Sequence, residues 1–291
     1  MLTKEEFHGL LADGPLLLDG ATGTNLQRMG MPRGCCTEEW VLGHPELLVE
    51  LQRQYAAAGS RILIAPTFQA QPIALARLDL DRQTETINAQ LAALTRSVSP
   101  DCLVAGDIAT LATFLDSWDP EQFDVLVENY RRQIRGLIDG GVDILAAETL
   151  VYPQEAEAIL TAAELEGAGA SMYSFAMQPD GSFLSGMEAG PVLRELEQAG
   201  AAAVGFNCVA ADRQLPALVS KLRRSINGPL FCKPNAGIPV INDQGIPVYS
   251  MDSDAFAAIV KDCADMGAQL LGGCCGTDPS YISAVRDSLS K

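Results

Sequence analysis

Asp143-Ile144-Leu145-Ala146-Ala147-Glu148-Thr149 is an unbroken apolar run that ends in a carboxylate and a hydroxyl, and residues 153–166 continue it as a helix. Apolar residues without alternation suit a strand buried on both faces, as in a parallel sheet covered by helices. The same unit recurs on both sides. Strands are expected at 16–21, 61–67, 103–108, 171–177, 203–208, 230–235 and 269–273. Helices are expected at 45–58, 84–98, 120–139, 188–199, 212–226, 253–266 and 279–289. A short N-terminal helix over 3–13 precedes them, with Thr3 and Glu6 as a capping pair and Gly14-Pro15 as its stop. A long connection holding Cys35, Cys36 and Trp40 separates the first strand from its helix.

Eight strand–helix units without a linker predict an α/β fold, a single-domain (β/α)8 TIM barrel over residues 1–291. An open doubly wound sheet is the structural alternative. At 291 residues the chain is long enough for one large core, as α/β barrels of this size are.

Composition excludes several partners. Twenty Lys and Arg face 37 Asp and Glu, for a formal charge of −17, and no basic run exceeds a pair such as Arg131-Arg132. Nucleic acid and anionic membranes need a basic patch, so neither is an expected partner. No apolar run reaches the length of a membrane span, and the N-terminus is polar. A reducing cytosol is the expected location, with the eight cysteines free for metal or catalysis.

Polar residues gather at the ends of the strands. Asp19, Thr67, Asp107, Glu148, Ser174, Asn207 and Asn235 all fall at or near C-terminal strand ends, which form one mouth in a barrel. For Asp107 and Ser174, capping of a turn explains the position as well as function does. Three cysteines reach the same mouth: Cys208 ends Ala203-Val204-Gly205-Phe206-Asn207-Cys208, and Cys274-Cys275 sit between glycines after Leu270-Leu271. Side chains alternate faces on a strand, so the pair can grip one ion only if the strand has ended, and flanking glycines permit the bend. A disulfide between adjacent cysteines is strained by ordinary bridge geometry. Three thiolates with a fourth position open make a catalytic zinc site. Cys102, Cys232 and Cys263 lie in apolar-periodic segments and read as packing residues.

Further segments occur in a characteristic order: Asp19-Gly20-Ala21-Thr22-Gly23-Thr24, Pro66-Thr67-Phe68, Gly106-Asp107-Ile108, Glu148-Thr149, Asp180 to Gly186, Gly205-Phe206-Asn207-Cys208, Pro234-Asn235-Ala236-Gly237 and Gly273-Cys274-Cys275-Gly276-Thr277. Together they resemble the zinc-dependent homocysteine S-methyltransferase family, including the homocysteine-binding module of cobalamin-dependent methionine synthase. The resemblance covers essentially the whole chain. It implies that Cys208, Cys274 and Cys275 ligate Zn2+. It also implies that Asp19, Gly20 and Glu148 hold the homocysteine amino group, with Thr67, Asn207 and Asn235 among the residues around the substrate. Asn235 is also the candidate for the open zinc position when no substrate is bound. The chain departs from the family pattern at Pro66, at Ala109-Thr110 and at Tyr152.

The chemistry fits the ligand type. An alkyl thiol is mostly protonated at neutral pH, and its thiolate is the nucleophile. Three cysteine ligands leave a bound sulfur electron-rich enough to attack a methyl group, whereas neutral histidines would quench it. The two histidines, His8 and His44, lie away from strand ends. The expected methyl donor is a methyl-corrinoid protein, a methylfolate-linked system or a small molecule. Three alternatives stay open: a different thiol acceptor, a thiol-binding subunit inactive without its corrinoid partner, and a barrel aldolase using Lys233, the only lysine near a strand end.

Overall fold

Eight parallel strands hydrogen-bond in the order β1, β10, β7, β6, β5, β4, β3, β2. Their ranges are β1 Leu16–Leu17, β2 Ile62–Ala65, β3 Leu103–Ala109, β4 Ile144–Leu150, β5 Ser171–Phe175, β6 Ala203–Ala210, β7 Leu230–Asn235 and β10 Leu270–Leu271. A parallel bridge between Leu18 and Ile62 joins the two ends of that order, and the Arg61 amide donates to the Leu17 carbonyl at 2.7 Å. The sheet is thus a closed (β/α)8 barrel. The computed structural model describes residues 1–114, 120–243 and 246–290.

Alternation along each strand separates two apolar layers. Leu18, Ile62, Ile64, Ala105, Ile144, Ala146, Met172 and Phe231 fill the barrel interior. Leu63, Val104, Leu145, Ala147 and Val204 point outward and pack under the helices. This double burial is why the strands read as continuous apolar runs. The N-terminal helix, Lys4–Gly9, carries the expected capping box between Thr3 and Glu6. Phe7 and Leu11 join the interior cluster, and Leu2 bonds to the backbone of Asp143 and Ala170. This segment closes the N-terminal end of the barrel and leaves the other end as the mouth.

Several elements are shorter or more numerous than the sequence implies. The first strand is regular only over Leu16–Leu17, with a single bridge beyond it at Leu18, and the expected 3–13 helix stops at Gly9 because the following turn drives Leu11 into the barrel floor. The connection after β1 holds two short helices, Gly23–Arg28 and Thr37–Gly43, neither with a side-chain N-cap to announce it. After β7 a small antiparallel pair, β8 Val240–Ile241 and β9 Pro247–Val248, rises with exposed apolar residues.

Candidate active site

Two strands change register as they reach the mouth. β4 slips between Ala147 and Leu150, and β6 slips between Asn207 and Ala210. Thr149 and Cys208 sit in those slips with φ of 58°, a left-handed conformation that non-glycine residues rarely take. Strain of this kind, roughly 1–3 kcal/mol per residue, persists only where surrounding contacts over-determine it. Asn207 supplies them. Its Oδ1 accepts from the Thr149 amide at 2.8 Å and from Ser174 Oγ at 3.0 Å, and its Nδ2 donates to Thr149 Oγ1 at 2.7 Å.

Strand β10 ends at Leu271, and the backbone bends before the cysteine pair, as the glycines allow. Gly276 has φ of +84°, and a Cβ there would collide with Tyr249. The Cys274 amide donates to the Pro234 carbonyl at 2.7 Å, and Thr277 Oγ1 donates to the Cys274 carbonyl at 2.8 Å. Asn235 joins the two cysteine segments. Its Nδ2 donates to the Cys208 carbonyl and its Oδ1 accepts from the Cys275 amide, both at 3.0 Å.

These bonds bring the sulfurs of Cys208, Cys274 and Cys275 within 4.8 Å of one another. That spacing matches three ligands of one ion bound at about 2.3 Å per sulfur. By themselves the sulfurs concentrate negative charge on one atom. Hydrogen bonds from Cys208 and Cys274 hold the Cys275 thiol down to about 3. Contacts with Cys274 and Cys275 push Cys208 well up. Cys274 is lowered by Cys208 but raised more by Cys275 and burial together, and comes to about 11. Electron-rich sulfur of this kind suits a soft or borderline cation.

Beside the sulfurs lies a cavity of about 250 Å³, lined by Gly20, Asp107, Glu148, Asn207, Lys233 and the three cysteines. Gly20 is required for close approach, since a Cβ would sit 2.7 Å from the Tyr55 hydroxyl and 2.8 Å from Thr277 Oγ1. Lys233 is 4% exposed, with Nζ 3.0 and 3.1 Å from the two Glu148 oxygens and 3.8 Å from Asp19 Oδ1. Burial opposes its charge, but Glu148 and then Asp19 carry the ammonium above the ordinary lysine range. Burial raises Asp19 to about 7 against the pull of Lys233, and it raises Glu148 too.

The structure gives several expected residues other tasks. Asp19 is fully buried and lies behind the cavity lining, accepting from the Ile64 amide at 2.9 Å. Thr67 is also fully buried and outside the lining; its Oγ1 donates to the Asp107 carbonyl at 2.8 Å and accepts from the Asp107 amide at 3.0 Å. Asn235 has both amide atoms committed to backbone, so it ties the two cysteine segments together, and it does not line the cavity. The sequence offers Lys233 only as the lysine of the aldolase alternative, and it does not announce Tyr249, which hydrogen-bonds Cys275. A lysine inside the apolar run Leu230-Phe231-Cys232-Lys233-Pro234-Asn235 was the available signal.

Comparison with known proteins agrees with this geometry. The family model for homocysteine S-methyltransferase matches residues 16–289. Methionine synthase of Mycobacterium tuberculosis is 27% identical over 294 residues, covering 95% of this chain and 25% of that protein. The Mycobacterium leprae methionine synthase is 26% identical over 300 residues, with 97% and 25% coverage. The chain therefore spans about a quarter of the length of these relatives. Among solved structures, the metallated form of the homocysteine methyltransferase MmuM from Escherichia coli superposes with a TM-score of 0.81 at 25% identity, covering 96% of this chain and 97% of that one. Its oxidised form gives a TM-score of 0.83. With its closed barrel and a family match over nearly its whole length, the chain belongs to the homocysteine S-methyltransferase family.

Proposed function

We propose that this chain transfers a methyl group to the thiol of homocysteine, forming methionine, with Zn2+ held by Cys208, Cys274 and Cys275. The observation that carries the reading is the meeting of three cysteine sulfurs at the edge of an acidic cavity in the barrel mouth. Zinc bound there would act as a Lewis acid that keeps the acceptor sulfur deprotonated at neutral pH.

The rest falls to the chain's own residues. Asn207, Asn235 and Thr277 hold the sulfurs in place before any acceptor arrives. The acidic floor, with Asp107 and Glu148, draws the acceptor's ammonium group and so aims its thiol at the cysteines. Gly20 lets the first strand's end pack against Tyr55 and Thr277 at the cavity wall. In the reaction the S–H proton leaves to solvent, a sulfur–methyl bond forms, and the donor–methyl bond breaks.

The donor enters from the open end of the barrel. A methylated corrinoid protein, a methylfolate-linked system and small methyl donors are the candidate classes; three free thiols suit a reducing, cytoplasmic setting. Among the described residues no helix is long and apolar enough to cross a membrane. The test is methionine formation from homocysteine across these donor classes, with homocysteine binding measured in parallel. Binding without turnover by any small donor would favour a subunit that needs a corrinoid partner. Binding of other thiols in preference to homocysteine would overturn the acceptor assignment.

A further inference from the structure

We propose that Tyr249 is a positioning residue that protects a metal ligand from the methyl donor: its hydroxyl donates to the Cys275 sulfur and leaves the acceptor thiolate as the preferred nucleophile. The assignment rests on the function proposed above and addresses a selectivity problem within it. Three protein thiolates and the acceptor's thiolate would share one ion, and all four are nucleophiles toward a methyl group. A methyl group placed on a cysteine would remove a ligand. A hydrogen bond to a thiolate guards against this. The sulfur loses its negative charge as it bonds to carbon, so the hydrogen bond is stronger before the attack than during it, and the attack slows.

Each cysteine sulfur is met by a polar group of the chain. Asn207 Nδ2 stands 3.8 Å from Cys208 Sγ and 3.9 Å from Cys274 Sγ, and Thr149 Oγ1 stands 3.9 Å from Cys208 Sγ. Cys275 is met by Tyr249, which directly follows β9. A phenol is protonated at neutral pH and a thiolate carries no proton, so the tyrosine is the donor. Packing holds its ring there: Gly276, next to Cys275, has φ of +84°, and a Cβ on it would strike the ring. Cys275 itself is fixed by its amide, which donates to Asn235 Oδ1, and by its carbonyl, which accepts from the Ala236 amide, both at 3.0 Å. Tyr249 does not line the acceptor cavity; it comes from the segment that follows β7 at the mouth, where the donor enters. Every ligand sulfur thus has a partner built into the chain. The acceptor sulfur brings none of its own and is the strongest nucleophile.

The experiment uses methyl iodide as the probe on the zinc-loaded full chain with stoichiometric homocysteine, and peptide mass spectrometry locates each added methyl group. Where Cys275 reacts, a sulfur–methyl bond forms, the carbon–iodine bond breaks and iodide leaves with the electron pair. The wild type should form methionine in preference to S-methylated Cys275. Tyr249→Phe keeps the ring against Gly276 and removes only the hydroxyl. It should retain zinc and shift the ratio of S-methylated Cys275 to methionine about tenfold toward Cys275, the scale of one hydrogen bond to a charged group. Cys208 and Cys274 should react as before. In cobalt-substituted protein the same variant should move the sulfur-to-metal charge-transfer band to lower energy, and an unmoved band would contradict the hydrogen bond. An unchanged ratio, or an equal rise at all three cysteines, would overturn the protective role. Loss of zinc in Tyr249→Phe would overturn it too, making the residue a support of the metal alone. A wild type that holds no zinc or binds no homocysteine would instead overturn the underlying function, and this assignment with it.

Discussion

The sulfur side of the mouth and the carboxylate side are held in different ways. Around the cysteines, Asn207, Asn235 and Thr277 bond backbone or neighbouring side chains with both ends of their polar groups. Across the cavity, Asp19 Oδ1 and Asp107 Oδ1 have no hydrogen-bond partner among the described residues. The difference separates two tasks. A metal site must have its ligand geometry fixed before binding, and outer bonds do that. On the function proposed above, the open oxygen of Asp107, which lines the cavity, is capacity kept for the acceptor.

The largest expected effect breaks the sulfur side outright. Cys208→Ala, Cys274→Ala and Cys275→Ala should each lose the metal and abolish methyl transfer while circular dichroism stays native, since the barrel core does not run through them. Metal analysis that finds full stoichiometry in all three would dissolve the contrast. Next comes the support beneath the ligands. Asn235→Ala leaves the Cys208 carbonyl and the Cys275 amide without their partner. Metal affinity should fall about 10- to 100-fold, the usual effect of losing such a partner, as read by chelator competition.

A smaller effect belongs to the carboxylate side. The folded state holds the Asp19 proton up to about 7, whereas the unfolded chain releases it near 3.8. Asp19 therefore favours folding fully below the lower value, and that contribution is lost as pH rises between the two. Its slope is at most about 1.4 kcal/mol per pH unit. Urea unfolding at pH 5 and pH 7.5 should show the decline, and Asp19→Asn should flatten it; a steeper decline in the variant would assign the slope elsewhere. The smallest effect is a control for sulfur as such. Cys35 is exposed and outside the cluster, so Cys35→Ser should change stability by less than about 0.5 kcal/mol and leave metal content unaltered.

The barrel was legible because double burial writes itself into each strand as an apolar run, and the cysteines because an adjacent pair between glycines has few structural uses. Roles set by distant partners were not. Lys233 stood out as a lysine at a strand end, yet its meaning depends on Glu148, 85 residues away. Thr67 and Asn235 look from the sequence like substrate contacts, since a polar residue at a strand end reads the same whether it faces the cavity or bonds the next strand's backbone. Only the closed barrel distinguishes the two. Short pieces such as Gly23–Arg28 also escaped, lacking both length and a side-chain cap.

X-ray absorption at the zinc edge tests the central claim most directly, because it counts sulfur around the metal. The account predicts three sulfurs at about 2.3 Å in the protein alone, with a fourth appearing when homocysteine is added. A sulfur count that does not change on adding homocysteine, in protein shown to bind it, would contradict thiol activation at this cluster.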